Sequence, residues 1–145
     1  MRGPNTPLAK LLVAYYGLIQ TVHLVVLARA ATLLLVNGSI TFPAPPPPGG
    51  WTTQASHFLV GLGGVDAANA MAALAFVYGF FSRARWRYWL GTLTLSVAGC
   101  SALLFAYGTI ASGAWAHNPV SYLSITLAFA PVAALTILFG TWISS

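Results

Sequence analysis

Four long apolar stretches, separated by short polar or Pro/Gly-rich breaks, organise this chain. The first runs from about residue 8 to 36 and is interrupted only by Lys10 and Arg29. Crossing the hydrocarbon core takes roughly 20 apolar residues in a helix, and every stretch reaches that length. The pattern predicts helices at about 8–36, 52–81, 88–112 and 119–143. Asn37-Gly38 suits the end of the first, because both residues tolerate the left-handed conformation of a helix C-terminus. The basic run Ser82-Arg83-Ala84-Arg85-Trp86-Arg87 separates the second from the third. Asn118-Pro119 suits the start of the fourth, with Asn as N-cap and Pro in the first turn. Pro131 falls inside that helix, where it removes one backbone bond and should kink the axis unless neighbours compensate. The first stretch is too long for the apolar region of a signal peptide and is read as a retained helix.

The expected fold is therefore an all-α membrane protein, a four-transmembrane-helix bundle in a single transmembrane domain over residues 1–145. Composition agrees: 58% of residues are hydrophobic and 5% charged, against about 25% charged in a soluble domain. In water such a surface would be one continuous apolar patch. The 37–50 segment holds Pro43 and Pro45 to Pro48, which lack donors and favour an extended path, so it reads as a stiff outer connector. Asn37-Gly38-Ser39 also spells a glycosylation acceptor, relevant only in a eukaryotic source.

Charge adds orientation. Six Lys or Arg stand against one acid, Asp66, for a net charge of +5. Five of those cations (Arg2, Lys10, Arg83, Arg85, Arg87) lie at the N-terminus and between helices two and three. The positive-inside rule places that side, and with it both termini, in the cytoplasm, and the expected location is the bacterial cytoplasmic (inner) membrane. Trp86, Tyr88, Trp89 and Trp142 then form an inner aromatic belt, and Trp51, Trp115 and Tyr122 an outer one. A basic groove with interleaved aromatics is absent, so nucleic acid is not an expected partner. Lone Cys100 sits in an apolar run and reads as a small hydrophobe. Ala73–Gly79 and Ala102–Gly108 echo one another (Ala-Leu-x-Phe-x-Tyr-Gly) near the ends of oppositely directed helices.

Asp66 is the strongest chemical signal, because an ionisable group deep in a membrane helix is costly and is a functional candidate by default. His23 lies thirteen residues before Val36 and Asp66 thirteen after Thr53. Both therefore sit roughly 20 Å from the outer face, near the midplane. Tyr16, Gln20 and His23 share one side of helix one, and Asp66 and Asn69 one side of helix two. Gly61, Gly63, Gly64, Ala67, Ala68 and Ala72 favour close helix approach. The candidate ligand-binding or proton-coupling constellation is thus Tyr16, Gln20, His23, Asp66 and Asn69, with interhelical glue as the purely structural alternative. Arg29 is a secondary candidate. It lies about 120° around the helix from His23, and its long stem favours snorkelling outward. His57 and His117 are weak as a metal pair without a supporting carboxylate or cysteine. No metal or catalytic site is assigned: a phosphate loop, a nucleophile elbow and an HExxH helix are all missing.

Three functions are compatible with these residues. The first is a non-enzymatic membrane subunit, or a lipid- or quinone-binding interaction protein whose partners are membrane lipids, other membrane subunits or further copies of itself. The second is a proton-coupled small transporter or channel using the His23–Asp66 pair. The third is a small intramembrane enzyme. No cofactor is expected beyond a bound lipid or quinone. In architecture alone the layout resembles small multidrug transporters, fluoride channels and small lipid-modifying enzymes. In the first of these the embedded acid lies in helix one rather than helix two, and no residue roles are carried over.

Overall fold

The computed structural model describes residues 6–143, and Arg2 lies outside the described residues. All regular structure among those residues is helical. The elements are α1 (Pro7–Asn37), α2 (Thr53–Phe81), α3 (Arg87–Ala111), the single turn α4 (Ala114–His117) and α5 (Pro119–Ile143). Four of them, α1, α2, α3 and α5, are long and apolar enough to cross a membrane, which makes the chain an integral multi-pass protein.

Local chemistry sets the helix ends. The Thr6 and Thr52 hydroxyls each accept a backbone N–H at 3.2 Å, from Ala9 and Ala55, and so cap α1 and α2. Gly38, at φ +67°, closes α1 with its N–H on the Leu34 carbonyl at 2.8 Å. The end of α2 is a Schellman turn, with Ala84 N–H on the Gly79 carbonyl (2.9 Å) and Arg83 N–H on the Phe80 carbonyl (3.3 Å). Its left-handed position is filled by Arg83, at φ +60°, rather than by glycine. Helix α5 runs unbroken through Pro131. The Tyr15 hydroxyl donates to the Ala128 carbonyl at 2.7 Å, one residue from the Leu127 carbonyl that Pro131 leaves without its usual donor. A neighbouring helix thus bonds to the turn that Pro131 disturbs, though not to the carbonyl that the proline leaves free.

Each spanning helix packs against two others, closing a ring in the order α1, α2, α3, α5. Both termini of the ring and the α2–α3 turn lie at one end, here the terminal end; the α1–α2 loop and α4 lie at the other, the loop end. The main core belongs to the terminal half. It contains Val13 and Tyr16 of α1, Phe76 and Phe80 of α2, Leu95 of α3, and Leu135 and Phe139 of α5. Phe76 and Phe139 meet edge to face across the diagonal, with ring centroids 5.4 Å apart. They can do so because Gly91 has no side chain: a β-carbon there would lie 2.7 Å from Phe76 Cε2 and collide with Phe139 Cζ. Beyond Gln20 in α1 and before Leu62 in α2, no residue is buried.

A smaller cluster closes the loop end, and here the structure revises the sequence reading. The Pro-rich segment is no free connector, for Ala44 is buried with Ala114 and Tyr122. Proline lacks a donor but keeps its carbonyl, and those carbonyls are the anchors. The Tyr122 hydroxyl donates to Pro45 O at 2.8 Å, and the Asn118 side-chain amide to Pro46 O at 3.1 Å. Trp51 Nε1 donates to Ile40 O at 2.9 Å. Tyr122, expected in an outer aromatic belt, is fully buried and stacks on Trp115. Asn118 precedes α5 as expected, yet its amide nitrogen serves Pro46 and Ala114. The two echoing heptapeptides match only at their Tyr-Gly ends: Trp86 covers Gly79, Phe58 covers Gly108, and Tyr78 and Tyr107 point outward, whereas Ala73 and Phe76 are buried and Ala102 is exposed.

Gly91→Ala should lower stability by about 1–3 kcal/mol through overpacking of the two rings. Gly99, with open space around its α-carbon, should tolerate alanine without loss. Unfolding of both variants in mixed detergent micelles compares them directly.

Candidate functional site

The candidate residues divide into two layers along the bundle axis. The layer nearer the terminal end is a closed polar node. Tyr16 of α1 is fully buried, Gln20 is 2% exposed and Asn69 of α2 is 8% exposed. The Tyr16 hydroxyl donates to the Thr94 carbonyl of α3 at 3.3 Å, and Asn69 Nδ2 donates to the same oxygen at 3.2 Å. Gln20 lies against the Tyr16 hydroxyl from the same helix face. One main-chain carbonyl therefore receives donors from two other helices, using the second lone pair that a helical C=O retains. Thr94, also fully buried, returns its own hydroxyl to the Gly91 carbonyl at 3.4 Å.

Thr94 was not among the residues singled out from sequence. Its signal there is faint: a threonine three residues after a glycine, which places both on one face of α3. The acceptor is a main-chain atom, and no side-chain pattern advertises a carbonyl that recruits side chains.

The second layer lies one helical turn further toward the loop end and is less buried. His23 and Asp66 are both half-buried and close enough for their charges to interact. They do not form an ion pair within 4.0 Å, and neither has a hydrogen-bond partner among the described residues. His23 Nδ1 is enclosed yet unpartnered. The imidazole and the Phe129 ring of α5 form a T-shaped pair, with centroids 5.5 Å apart. In the same region Gly63 of α2 faces Leu27 of α1, with room for a β-carbon at ordinary contact distance.

Arg29 leaves this region altogether. It is exposed, and its guanidinium carbon stands 4.8 Å from the centre of the Phe42 ring in the α1–α2 loop. A cation–π contact at the loop end thus holds it away from Asp66. His57 and His117 are exposed, and His117 Nδ1 is engaged by the Gly113 carbonyl at 2.9 Å. Among the described residues, no three His, Cys, Asp or Glu side chains are gathered as metal ligands would be. The five primary candidates are thus brought to adjacent turns but hold different environments: Tyr16 and Asn69 donate to the Thr94 carbonyl with Gln20 buried beside them, whereas His23 and Asp66 have no hydrogen-bond partner among the described residues.

Compared with protein-family models, curated proteins and solved structures, the chain gives no match.

Because Tyr16 and Asn69 share one acceptor, their effects should be coupled. Tyr16→Phe and Asn69→Ala should each cost on the order of 0.6 kcal/mol for the lost interhelical bond, to which Asn69→Ala adds a packing loss. The double variant should depart from additivity in a double-mutant cycle of unfolding free energies.

Proposed function

We propose that the protein is a non-enzymatic membrane component that binds the polar head of an amphiphile, a lipid or a quinone, at His23 and Asp66. The carrying observation is the enclosed, unpartnered His23 Nδ1 beside the only acid in the sequence, itself without an ion pair among the described residues. A buried polar atom left without a partner costs about 1–3 kcal/mol. A ligand oxygen that meets it recovers this energy. Neutral imidazole can donate to a carbonyl or accept from a hydroxyl, while a carboxylate accepts from a hydroxyl or ammonium. Phe129 supplies an apolar wall beside the imidazole, and the unburied loop-end halves of α1 and α2 leave room for an apolar tail to approach from the bilayer. The charge distribution supports cytoplasmic termini, and a bacterial inner membrane suits a small bundle of this kind. Association with larger membrane subunits is compatible with the same binding role.

One observation favours a second reading. Asp66 lies near His23 but is locked to no partner among the described residues, so proton exchange at this pair would break no ion pair. A proton-coupled transporter or channel would use that freedom.

Extraction in mild detergent followed by mass spectrometry of bound small molecules separates the two. The binding reading expects a stoichiometric lipid or quinone, held roughly tenfold less tightly by His23→Ala and by Asp66→Asn, for the loss of one hydrogen bond to a polar head. Equal retention by wild type and both variants would sink it. Proton-driven flux in liposomes that Asp66→Asn abolishes would establish transport instead.

A further inference from the structure

The terminal end carries a second site, built from different residues. Lys10, on the first turns of α1, and Arg83, in the α2–α3 turn, line one hollow with Phe80 and Phe81. Its volume is about 320 Å³. Phe80 is buried in the core and forms its floor, while Phe81 is 50% exposed on the rim. Neither cationic side chain bonds to any other described residue. The only acid in the sequence, Asp66, lies seventeen residues up α2 from Arg83, roughly 25 Å away along the axis. Two positive charges on neighbouring helices therefore share an aromatic-walled hollow with no counter-charge from the described protein.

The backbone adds an independent observation. Arg83 holds the left-handed position of the Schellman turn at φ +60°, where a residue with a β-carbon is strained and glycine is not. A turn selected only for ease of folding would place glycine there. Keeping arginine puts a cationic side chain on this turn, beside Lys10 of α1.

We propose that this hollow binds the phosphate of an anionic phospholipid between the Lys10 ammonium and the Arg83 guanidinium. Arginine offers a planar fork for two phosphate oxygens, and lysine a compact charge for a third. Basic pockets between membrane helices at the head-group level suit such ligands. The phenylalanines identify a lipid rather than a soluble anion, because Phe81 on the rim offers apolar contact to the glycerol and first acyl carbons. The absence of a carboxylate among the lining residues selects against a zwitterionic head, whose ammonium would meet only cations and rings.

The test uses the full chain in neutral detergent, titrated with phosphatidylglycerol, phosphatidylcholine or inorganic phosphate, with bound ligand counted by native mass spectrometry. Phosphatidylglycerol should be retained over phosphatidylcholine. Lys10→Gln and Arg83→Gln should each reduce that preference roughly fivefold. Arg83→Lys should keep most of it, and Arg85→Gln, an exposed cation outside the hollow, should keep all of it. Lys10→Gln leaves the turn untouched, so it remains decisive even if the Arg83 variants fold poorly. Equal retention of the two lipids by wild type, or an undiminished preference in Lys10→Gln, would overturn the site. Displacement of phosphatidylglycerol by an equal concentration of inorganic phosphate would overturn the lipid as its ligand.

Discussion

The close approach of α3 to its neighbours at Gly91 and Thr94 is the contact on which the rest of the bundle depends. In lipid no hydrophobic force separates helix from solvent, so association relies on packing and on interhelical hydrogen bonds. Gly91 supplies the first, because its missing side chain lets Phe76 and Phe139 meet across the bundle. Three residues on, the Thr94 carbonyl supplies the second by accepting from Tyr16 and Asn69. Helices α1 and α3 do not pack directly; the Tyr16 side chain bridges that diagonal, as the two phenylalanines bridge the other. One short stretch of α3 thus ties all four spanning helices together.

Holding the terminal half so firmly leaves the loop half to be held by other means. There the proline segment acts as a clamp: its carbonyls receive Tyr122 and Asn118. Between the clamp and the core lies the level of His23 and Asp66, where α1 and α2 contribute little buried surface. A binding or coupling site needs such a level, since fully satisfied polar groups have nothing left to offer a ligand. The contrast between the Thr94 carbonyl, which accepts from two helices, and the unpartnered His23 Nδ1, one turn away, separates structural polarity from available polarity.

Much of the bundle was legible in the chain. Helix ends were recognisable because they depend on local chemistry: Gly38 adopts the left-handed conformation that Asn37-Gly38 implied, and α5 begins at Pro119. The levels of Tyr16, Gln20, His23, Asp66 and Asn69 followed from helical rise alone. Their division into committed and uncommitted groups was not legible. It depends on Thr94, whose carbonyl is chemically like every other carbonyl until a neighbouring helix arrives. The proline clamp was hidden for the same reason, since composition shows the missing donors of proline but not where its acceptors point.

Sequence by itself determined that this is a four-span membrane protein, with one acid and one histidine at matching depth. Length, hydropathy and a 1.5 Å rise per residue are properties of single segments and need no partner. Only the tertiary structure decided which polar groups are spent. It sent Arg29 outward onto Phe42, placed Lys10 and Arg83 around one hollow, and left His23 beside Asp66 without an ion pair. Those outcomes depend on rotation about each helix axis and on the loops that close the ends. Both are set by contacts between segments distant in the chain.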